Sequence, residues 1–522
     1  MNKEIFTKLS NFLVKIVAII FFVLMGLNTL LVLTKTAIFP SDYQETLYYK
    51  QDNAILNIIF LIIFSIVILI LVKYLKKIIS VKRLVLLVMI YTFIISILFA
   101  ILRRDYVQFD PFHVIDQANN FIRKNYSGLD KGDNYLYIYS HQITTVFIFQ
   151  IILSLFGRAT FILYIMQSFS ISFIIFMLYK IANILFEDED TNYIVVILGA
   201  LCFPLIFYVA FVYGLLPGMF LTLVAYYYFI KYTKEKHWYQ LVISALSINL
   251  AILLIGNNLI HLLAIFAVAV IYFIRNKDWK IIAFILSCVF LMSASKSVIT
   301  NYYEVKSQKE IAEGVPKITW IAMGMQEGER EAGWWNRFNY DIMPEEEYDE
   351  KRITKISKTS MKQRLNVFRD NPKYAFDFYQ RKYENQFIEP TFQSLLVTAP
   401  QRNFSNETTL EKIRDFFVKE IYFNHTHTVL EFIMKVFQVF VYSFIFVFAV
   451  VMYKRKNEFF AIIPIAFIGG TLFNMIWEAK SRYIFPYFVF LIPLAAYGLV
   501  IVRNKIKEYK KLKEEKDEKS TI

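Results

Sequence analysis

Long runs of hydrophobic residues alternate along the chain with short polar and basic segments. The runs at 11–33, 54–75 and 84–102 each reach the roughly 20 residues that cross about 30 Å of hydrocarbon as an α-helix. The same pattern predicts spans at 160–184, 191–212, 217–233, 238–255, 258–274, 279–298, 429–453, 458–475 and 484–503. The chain is therefore predicted to be an all-α polytopic membrane protein with about 12 transmembrane helices.

The basic segments between the runs determine which way each run crosses. Segments rich in Lys and Arg are expected on the cytoplasmic side of a membrane protein. In this chain they are residues 73–83, 231–236, 275–280, 454–456 and 503–519. This distribution predicts a multi-pass protein of the cell (plasma) membrane with both termini in the cytoplasm.

All basic segments reach the cytoplasmic side only if residues 142–157 do not cross the membrane. The apolar core of this stretch, Val146–Phe156, has about eleven residues and contains Gln150, so it fits a juxtamembrane or re-entrant helix better than a span. The segments 103–157 and 299–428 are then extracytoplasmic. Any active site is expected in these two segments.

These assignments divide the chain into five regions. The segment between the two groups of spans is predicted to be mainly helical, because short helical patterns alternate there with Pro and Gly breaks. The regions are an N-terminal two-span extension (1–83), a membrane core (84–298) with an external catalytic loop (103–157), an external soluble segment (299–428), a C-terminal three-span region (429–503) and a basic cytoplasmic tail (504–522).

Composition changes this picture only in how the charge is interpreted. The formal net charge is +14, which taken alone would suggest a nucleic-acid-binding protein. The Lys and Arg residues lie mainly between apolar runs, however, so no nucleic-acid partner is expected. Cys202 and Cys288 both fall within apolar runs, which supports neither a disulfide framework nor a thiolate metal site.

The loop after the third predicted span contains three carboxylates, Asp105, Asp110 and Asp116, just outside the membrane. A carboxylate in this position could serve as a general base. Each also has a purely structural alternative. Asp110 precedes Pro111 and fits the N-cap of an amphipathic helix, Asp105 could pair with a neighbouring arginine, and Asp116 could face water.

Polar residues also flank or interrupt several apolar stretches, where burial without a partner is costly. They are His141 and Arg158 on either side of the short stretch, Asn257 and Asn258 between two spans, and Glu478, Arg482 and Tyr483 at the start of the last span. The asparagines could instead form a turn or a helix-to-helix hydrogen bond, and Glu478 and Arg482 could form an i,i+4 ion pair. His425 and His427 lack a nearby third ligand, so no metal site is predicted.

The order of these motifs resembles that of the GT-C superfamily of polytopic membrane glycosyltransferases, specifically bacterial relatives of the protein O-mannosyltransferases and lipid A aminoarabinose transferases, similar to glycosyltransferase family 39. The chain departs from the pattern in two places: two extra spans precede the first matching span, and Gly256 stands where relatives often have Lys. The residues that carry the resemblance are Phe109-Asp110-Pro111, Tyr139-Ser140-His141-Gln142, Leu155-Phe156-Gly157, Gly256-Asn257-Asn258, the segment Trp320 to Asn336, and Glu478 with Arg482-Tyr483.

The resemblance implies an inverting transferase that uses a polyprenyl-phosphate sugar donor and an unidentified glycan, lipid or protein acceptor of the cell envelope. The composition, rich in Lys, Ile, Phe, Asn and Tyr, suggests a bacterial source, so undecaprenyl phosphate is the expected carrier. Membrane lipids would surround the protein; no cofactor is required, and a divalent metal is compatible with the chemistry. Asp110 is implied as the general base, with Asp105 and Asp116 as alternatives. The implied donor-binding residues are Arg482, Arg158, His141, Tyr483, Glu478, Asn257 and Asn258, and the implied acceptor-side residues are Trp334, Trp335 and Asn336.

Two other functions fit the same pattern. A lipid-linked-sugar transporter or polysaccharide-assembly protein would bind the carrier without chemistry, but the polar residues cluster at the outer face and the two halves show no symmetry. A polymerase with a pyrophosphate-linked donor would require a divalent metal on the external carboxylates. No phosphate-binding glycine loop or nucleotide-sugar domain is visible, which disfavours a cytosolic donor.

Overall fold

The structure is a computed structural model that describes residues 2–40, 44–103, 107–400 and 408–520. It is almost entirely helical. The first helices are α1 (Asn2–Thr34), α2 (Ala54–Ile78), α3 (Val81–Arg103), α4 (Phe109–Ile122), α5 (Tyr135–Ile138), α6 (Ile143–Phe156) and α7 (Thr160–Phe186). They are followed by α8 (Glu189–Leu201), α9 (Phe203–Phe207), α10 (Leu215–Glu235), α11 (Trp238–Leu254), α12 (Leu259–Asn276) and α13 (Lys280–Ser307). The remainder are α14 (Lys317–Gly324), α15 (Phe338–Glu345), α16 (Glu350–Asp370), α17 (Pro372–Phe387), α18 (Thr409–Tyr422), α19 (His425–Arg455), α20 (Ile462–Ile476), α21 (Ser481–Phe490) and α22 (Ile492–Ser520).

The number of spans is lower than the sequence suggested. Among the described residues, 8 helices are long and apolar enough to cross a membrane, or up to 10 if two bent pairs each count as one span. One bent pair is α8 with the segment Phe203–Ala210, which begins with α9, at an angle of 51°. The other is α21 with α22, at 54°. The predicted spans 217–233 and 238–255 do form helices, but α11 has only 17 residues, about 26 Å. The predicted count of about 12 is therefore not confirmed, whereas an integral membrane protein with several apolar helices is.

The helix α6 covers the stretch that the charge pattern singled out as too short to cross. It has 14 residues and is therefore about 21 Å long, well below the thickness of the hydrocarbon core. Its buried residues pack with those of α4 in a separate hydrophobic cluster that includes Val114, Phe121 and Phe149. A juxtamembrane or re-entrant position for α6 stays a prediction.

Salt bridges gather the basic segments at one end of the helix bundle. Arg503 and Lys76 both pair with Asp190, which joins the segments near 76, 190 and 503. The remaining pairs of this basic network are Lys234–Glu187 (2.7 Å), Arg275–Glu458 (2.9 Å) and Lys236–Asp278 (3.0 Å). One end of the bundle thus collects the charges that the positive-inside rule assigns to the cytoplasm, and this assignment of the compartment stays a prediction.

A short β-hairpin connects α1 to α2, which the all-α prediction did not include. Strand β1 (Lys35–Ile38) pairs antiparallel with β2 (Tyr48–Gln51), with Lys35 opposite Gln51. Neither strand has an alternating apolar pattern, so the local sequence carries no strand signal. The hairpin forms where tertiary contacts support it, because the backbone N–H of Ala37 donates to the carbonyl oxygen of Ile388 at 3.1 Å.

The N-terminal extension packs into the body of the protein. Phe22 of α1 stacks on Phe446 of α19 with ring centroids 4.5 Å apart, and Phe21 meets Phe467 edge-on at 6.1 Å. Its buried residues belong to the main hydrophobic cluster, which α19 and α20 share. The two N-terminal spans are therefore a wall of the bundle.

We predict that Arg158 and the basic network lie on opposite sides of the membrane. In intact cells, an Arg158→Cys protein is expected to react with a membrane-impermeant maleimide, and a Lys77→Cys protein to react only after permeabilisation. Both positions are exposed, and the natural thiols of Cys202 and Cys288 are buried, so background labelling is low. The reverse labelling pattern would invert the orientation derived from the basic segments.

Candidate functional site

A cavity of about 940 Å³ lies at the helix ends opposite the basic network. Its walls come from the N-terminal extension, the loop 103–157, the 299–428 segment and both groups of spans. The predicted site residues that line it are Asp110, His141, Asn257, Asn258, Trp335, Glu478, Arg482 and Tyr483. The fold thus brings together residues that are up to several hundred positions apart in the sequence.

Asp110 lies in the first turn of α4 and does not cap it. The helix begins at Phe109 after Gln108, which corrects the prediction that Asp110 is the N-cap with Pro111 at the first helical position. Within the described part of the chain, the Asp110 carboxylate accepts no hydrogen bond, so the capping role is wrong. Phe109 has a φ of 57°, in the left-handed region that bulky residues seldom adopt. Such strained backbone is characteristic of functional sites.

The environment of Asp110 controls its protonation. Burial raises the pKa of the Asp110 carboxyl, and the nearby charge of Arg482 opposes this rise. Glu478 also raises this pKa by repulsion. A carboxylate with a raised pKa is a stronger proton acceptor than an ordinary aspartate, which suits a general base.

Arg482 sits at the first turn of α21 and is only partly used by the fold. Its Nη2 donates to the hydroxyl of Tyr483 at 3.1 Å, and its guanidinium lies over the rings of Tyr483 and Phe211 at 5.0 and 5.9 Å. Within the described residues, no carboxylate lies within 4 Å of it, so the alternative i,i+4 ion pair with Glu478 does not form. Several donors of a planar guanidinium consequently remain for an anion in the cavity.

Glu478 pairs with Lys480 instead. One carboxylate oxygen of Glu478 lies 3.3 Å from the Lys480 ammonium, and the other accepts a hydrogen bond from the Tyr483 hydroxyl at 2.9 Å. Lys480 is 2% exposed and also lies over the ring of Trp334 at 5.2 Å. Glu478 is thus committed to neighbouring groups, which favours a positioning role over direct contact with a ligand.

The two asparagines of the turn between α11 and α12 have different environments. Asn258 is buried; its Nδ2 donates to the carbonyl of Ala251 at 2.8 Å, and its Oδ1 accepts from Thr222 at 3.3 Å. These contacts correspond to the helix-to-helix hydrogen bond that the sequence left as an alternative. Asn257 is exposed to the cavity, and a Cβ at Gly256 would meet no atom within 4 Å. Of the two, Asn257 is the one available to a ligand.

His141 is exposed to the cavity beside the N-terminal end of α6. Desolvation by the surrounding protein, together with the charge of Lys296, lowers its pKa to about 4. The imidazole is therefore neutral near pH 7. It offers a hydrogen bond to a phosphate or sugar and supplies no positive charge.

An aromatic wall lines the outer part of the cavity. Trp320 of α14 stacks with Trp477 at a centroid distance of 6.0 Å, and Tyr139 and Phe473 extend the stack on either side. The ammonium of Lys382 donates to two backbone carbonyls, that of Gly324 at the end of α14 (2.5 Å) and that of Trp477 (2.7 Å). This buried clamp joins the 299–428 segment to the last spans.

The remaining predicted residues do not line the cavity. Asp116 accepts a hydrogen bond from Asn120 at 3.0 Å, and Arg158 is exposed beyond the far end of α6. Trp334 is 1% exposed beneath Lys480, and the backbone N–H of Phe338 donates to Oδ1 of Asn336 at 3.1 Å. Asp105 lies outside the described residues. Over those that are described, no three His, Cys, Asp or Glu side chains are grouped to hold a metal ion.

The cavity is also lined by charged residues that sequence reasoning did not assign. They are Glu45, Lys296, Glu313, Lys317, Arg330, Glu350 and Lys480. Lys296 had a usable signal, because it is a lone cation in the apolar run of α13, a place where charged groups are usually functional. It is exposed, and within the described residues no carboxylate lies within 4 Å of it. Glu45 and Arg330 lie in polar loops, where charged residues are common and do not indicate a functional site.

Comparison with known proteins assigns the chain to a family of integral membrane proteins. No curated protein and no solved structure matches the chain. One family model, described as a conserved hypothetical integral membrane protein, matches residues 9–500. Because this match covers the chain from the first helix to the last membrane-embedded segment, the protein belongs to that family of conserved hypothetical integral membrane proteins.

Proposed function

We propose that the protein is an inverting glycosyltransferase that moves a sugar from a polyprenyl-phosphate carrier to an acceptor hydroxyl at the outer face of the membrane. The observation that carries the proposal is that Asp110 and Arg482 both line one cavity. The carboxylate makes no hydrogen bond to any described residue, and the guanidinium has no carboxylate within 4 Å among them. A carboxylate and a guanidinium left unsaturated beside a membrane cavity suit an acceptor hydroxyl and a phosphate, respectively.

Asp110 is assigned the acceptor side of the reaction. Its carboxylate takes the proton of the acceptor hydroxyl while the hydroxyl oxygen forms a bond to the anomeric carbon. The bond between that carbon and the phosphate oxygen breaks, and its electron pair leaves with the polyprenyl phosphate. Because attack and departure occur on opposite faces, the anomeric configuration inverts.

Arg482 is assigned the leaving group. The carrier phosphate passes from a diester to a monoester and gains negative charge, which a fixed cation in a water-poor cavity stabilises in the transition state. Lys296 is a second cation for the same phosphate, in place of Arg158, which does not line the cavity. Its position in a candidate span suits a charge carried at the membrane surface by a lipid.

The first prediction of this proposal is that Asp110→Asn abolishes sugar transfer and leaves the fold and carrier binding intact. Asparagine keeps the shape of the side chain but accepts no proton, and loss of general-base catalysis alone costs about 10²- to 10⁴-fold in rate. Transfer is measured as sugar incorporation from endogenous lipid-linked donors, in membranes that contain only the variant protein.

Asp116→Asn is the matched control, since Asp116 lies on the same helix outside the cavity and is expected to retain full activity. The transfer rate of the unmodified protein is expected to fall as the pH is lowered, because Asp110 is protonated and loses its base function. Since its pKa is raised, this fall is expected at a higher pH than for an ordinary aspartate. An active Asp110→Asn protein would remove the proposed base, and carrier binding without transfer in the unmodified protein would favour a transporter.

The second prediction is that Arg482→Lys weakens binding of the carrier phosphate by about tenfold or more. A lysine keeps the charge but loses the planar, bidentate donors of the guanidinium. The quantity measured is the affinity of the purified protein for undecaprenyl phosphate, relative to neutral undecaprenol.

Arg369→Lys provides the comparison, because Arg369 is 72% exposed on α16 and its replacement is expected to change nothing. If Arg482→Lys also bound the carrier with unaltered affinity, Arg482 would be reduced to an anchor for α21.

A further inference from the structure

The N-terminal hairpin is fastened to the rest of the protein by polar contacts on both strands. On β1, Lys35 pairs with Glu384 at 2.8 Å. On β2, the Tyr49 hydroxyl donates to Glu331 at 2.9 Å. Asp52, just after β2, pairs with Lys435 of α19 at 3.1 Å. These contacts hold the two strands against the rest of the protein.

Glu45 lies in the connection between β1 and β2 and reaches into the cavity. Its Oε2 lies 2.5 Å from Nη1 of Arg330, and its Oε1 lies 3.3 Å from Nζ of Lys480. Arg330 belongs to the 299–428 segment and Lys480 to the C-terminal region. One carboxylate of the N-terminal extension therefore joins two distant parts of the chain at the wall of the site.

The contacts continue from Glu45 to Arg482. Lys480 also pairs with Glu478 at 3.3 Å. Glu478 accepts from the Tyr483 hydroxyl at 2.9 Å, and that hydroxyl accepts from Nη2 of Arg482 at 3.1 Å. In this series of contacts, each side chain is held by the one before it and the one after it. The last member is the Arg482 guanidinium, which faces the cavity.

Because Lys480 is buried, the series of contacts from Glu45 to Arg482 depends on the charge of Glu45. At 2% exposure its ammonium depends on protein carboxylates for compensation. Without the charge of Glu45, Glu478 is the remaining carboxylate partner within 4 Å among the described residues, so it is drawn toward Lys480. The oxygen of Glu478 that holds Tyr483 then shifts, and the orientation of Arg482 shifts with it.

We propose that Glu45 is a positioning residue that orients Arg482 through Lys480, Glu478 and Tyr483, so that the N-terminal extension completes the phosphate-binding side of the cavity. The inference rests on the proposed function, since it assigns Arg482 to the carrier phosphate. It gives the two extra spans a role in the site that the GT-C resemblance does not supply.

The test compares Glu45→Gln, Glu45→Asp and Glu331→Gln in the full-length protein. Glu331→Gln is the matched control, because it removes a carboxylate contact of the same hairpin outside the cavity. Binding of undecaprenyl phosphate is expected to weaken about tenfold in Glu45→Gln, a size typical of coupling between contacting charged groups. Glu45→Asp, which keeps the charge, is expected to restore most of the affinity, and Glu331→Gln to bind normally.

A double-mutant cycle distinguishes positioning from a general loss of structure. Tyr483→Phe removes the hydroxyl that links Glu478 to Arg482. Adding Glu45→Gln to this variant is therefore expected to cost little further affinity. Fully additive losses would overturn the proposal. Equal affinity of Glu45→Gln and the unmodified protein would overturn it as well.

A measurement without the carrier separates this inference from the proposed function. The rate at which phenylglyoxal modifies Arg482, read from the modified peptide by mass spectrometry, is expected to change in Glu45→Gln and to stay constant in Glu331→Gln. If the unmodified protein bound undecaprenyl phosphate no better than undecaprenol, the proposed function would fail while this rate still decided the role of Glu45. An unchanged rate would overturn the positioning role.

Discussion

The structure of the site depends on how the charge of Lys480 is compensated. An ammonium that is almost fully buried is tolerated only where carboxylates and polarisable groups surround it. Here they are Glu45, Glu478 and the ring of Trp334, which come from three different regions of the chain. Removing any one of these groups would weaken the compensation of the cation. The N-terminal extension, the 299–428 segment and the last spans therefore meet at this buried charge.

The polar groups of the cavity divide into those that the fold uses and those that it leaves open. Asn258 and His261 form hydrogen bonds with neighbouring helices; His261 shares one of 2.8 Å with Tyr226. Within the described residues, Asp110, Arg482 and Lys296 face the same space without such hydrogen bonds to neighbouring helices. Open polar groups at the rim of an apolar bundle are costly unless a ligand meets them. This division, more than the number of polar residues, supports a binding site for an anionic lipid-linked substrate.

Much of the candidate site was predictable from the sequence, because polar residues that interrupt apolar stretches are conspicuous. Asn257 and Arg482 were found in this way, and Asp110 was found as one of three carboxylates in the loop after the third predicted span. All three line the cavity. Glu45 and Arg330 were not, since a charged residue in a polar loop has no local signal. The start of α4 was also misjudged, because Asp110 before Pro111 fits an N-cap by sequence, whereas the helix begins at Phe109, two residues before the predicted first helical position.

The sequence by itself determined that this is a helical membrane protein, because long apolar runs have no other stable conformation in a bilayer and basic residues mark one side of it. Tertiary structure alone decided the bent helix pairs and the β-hairpin, whose backbone partner Ile388 lies several hundred residues away. It also decided which polar residues share the cavity. Helix formation follows from local periodicity, whereas pairing across the bundle depends on contacts between residues distant in sequence, which no local pattern encodes.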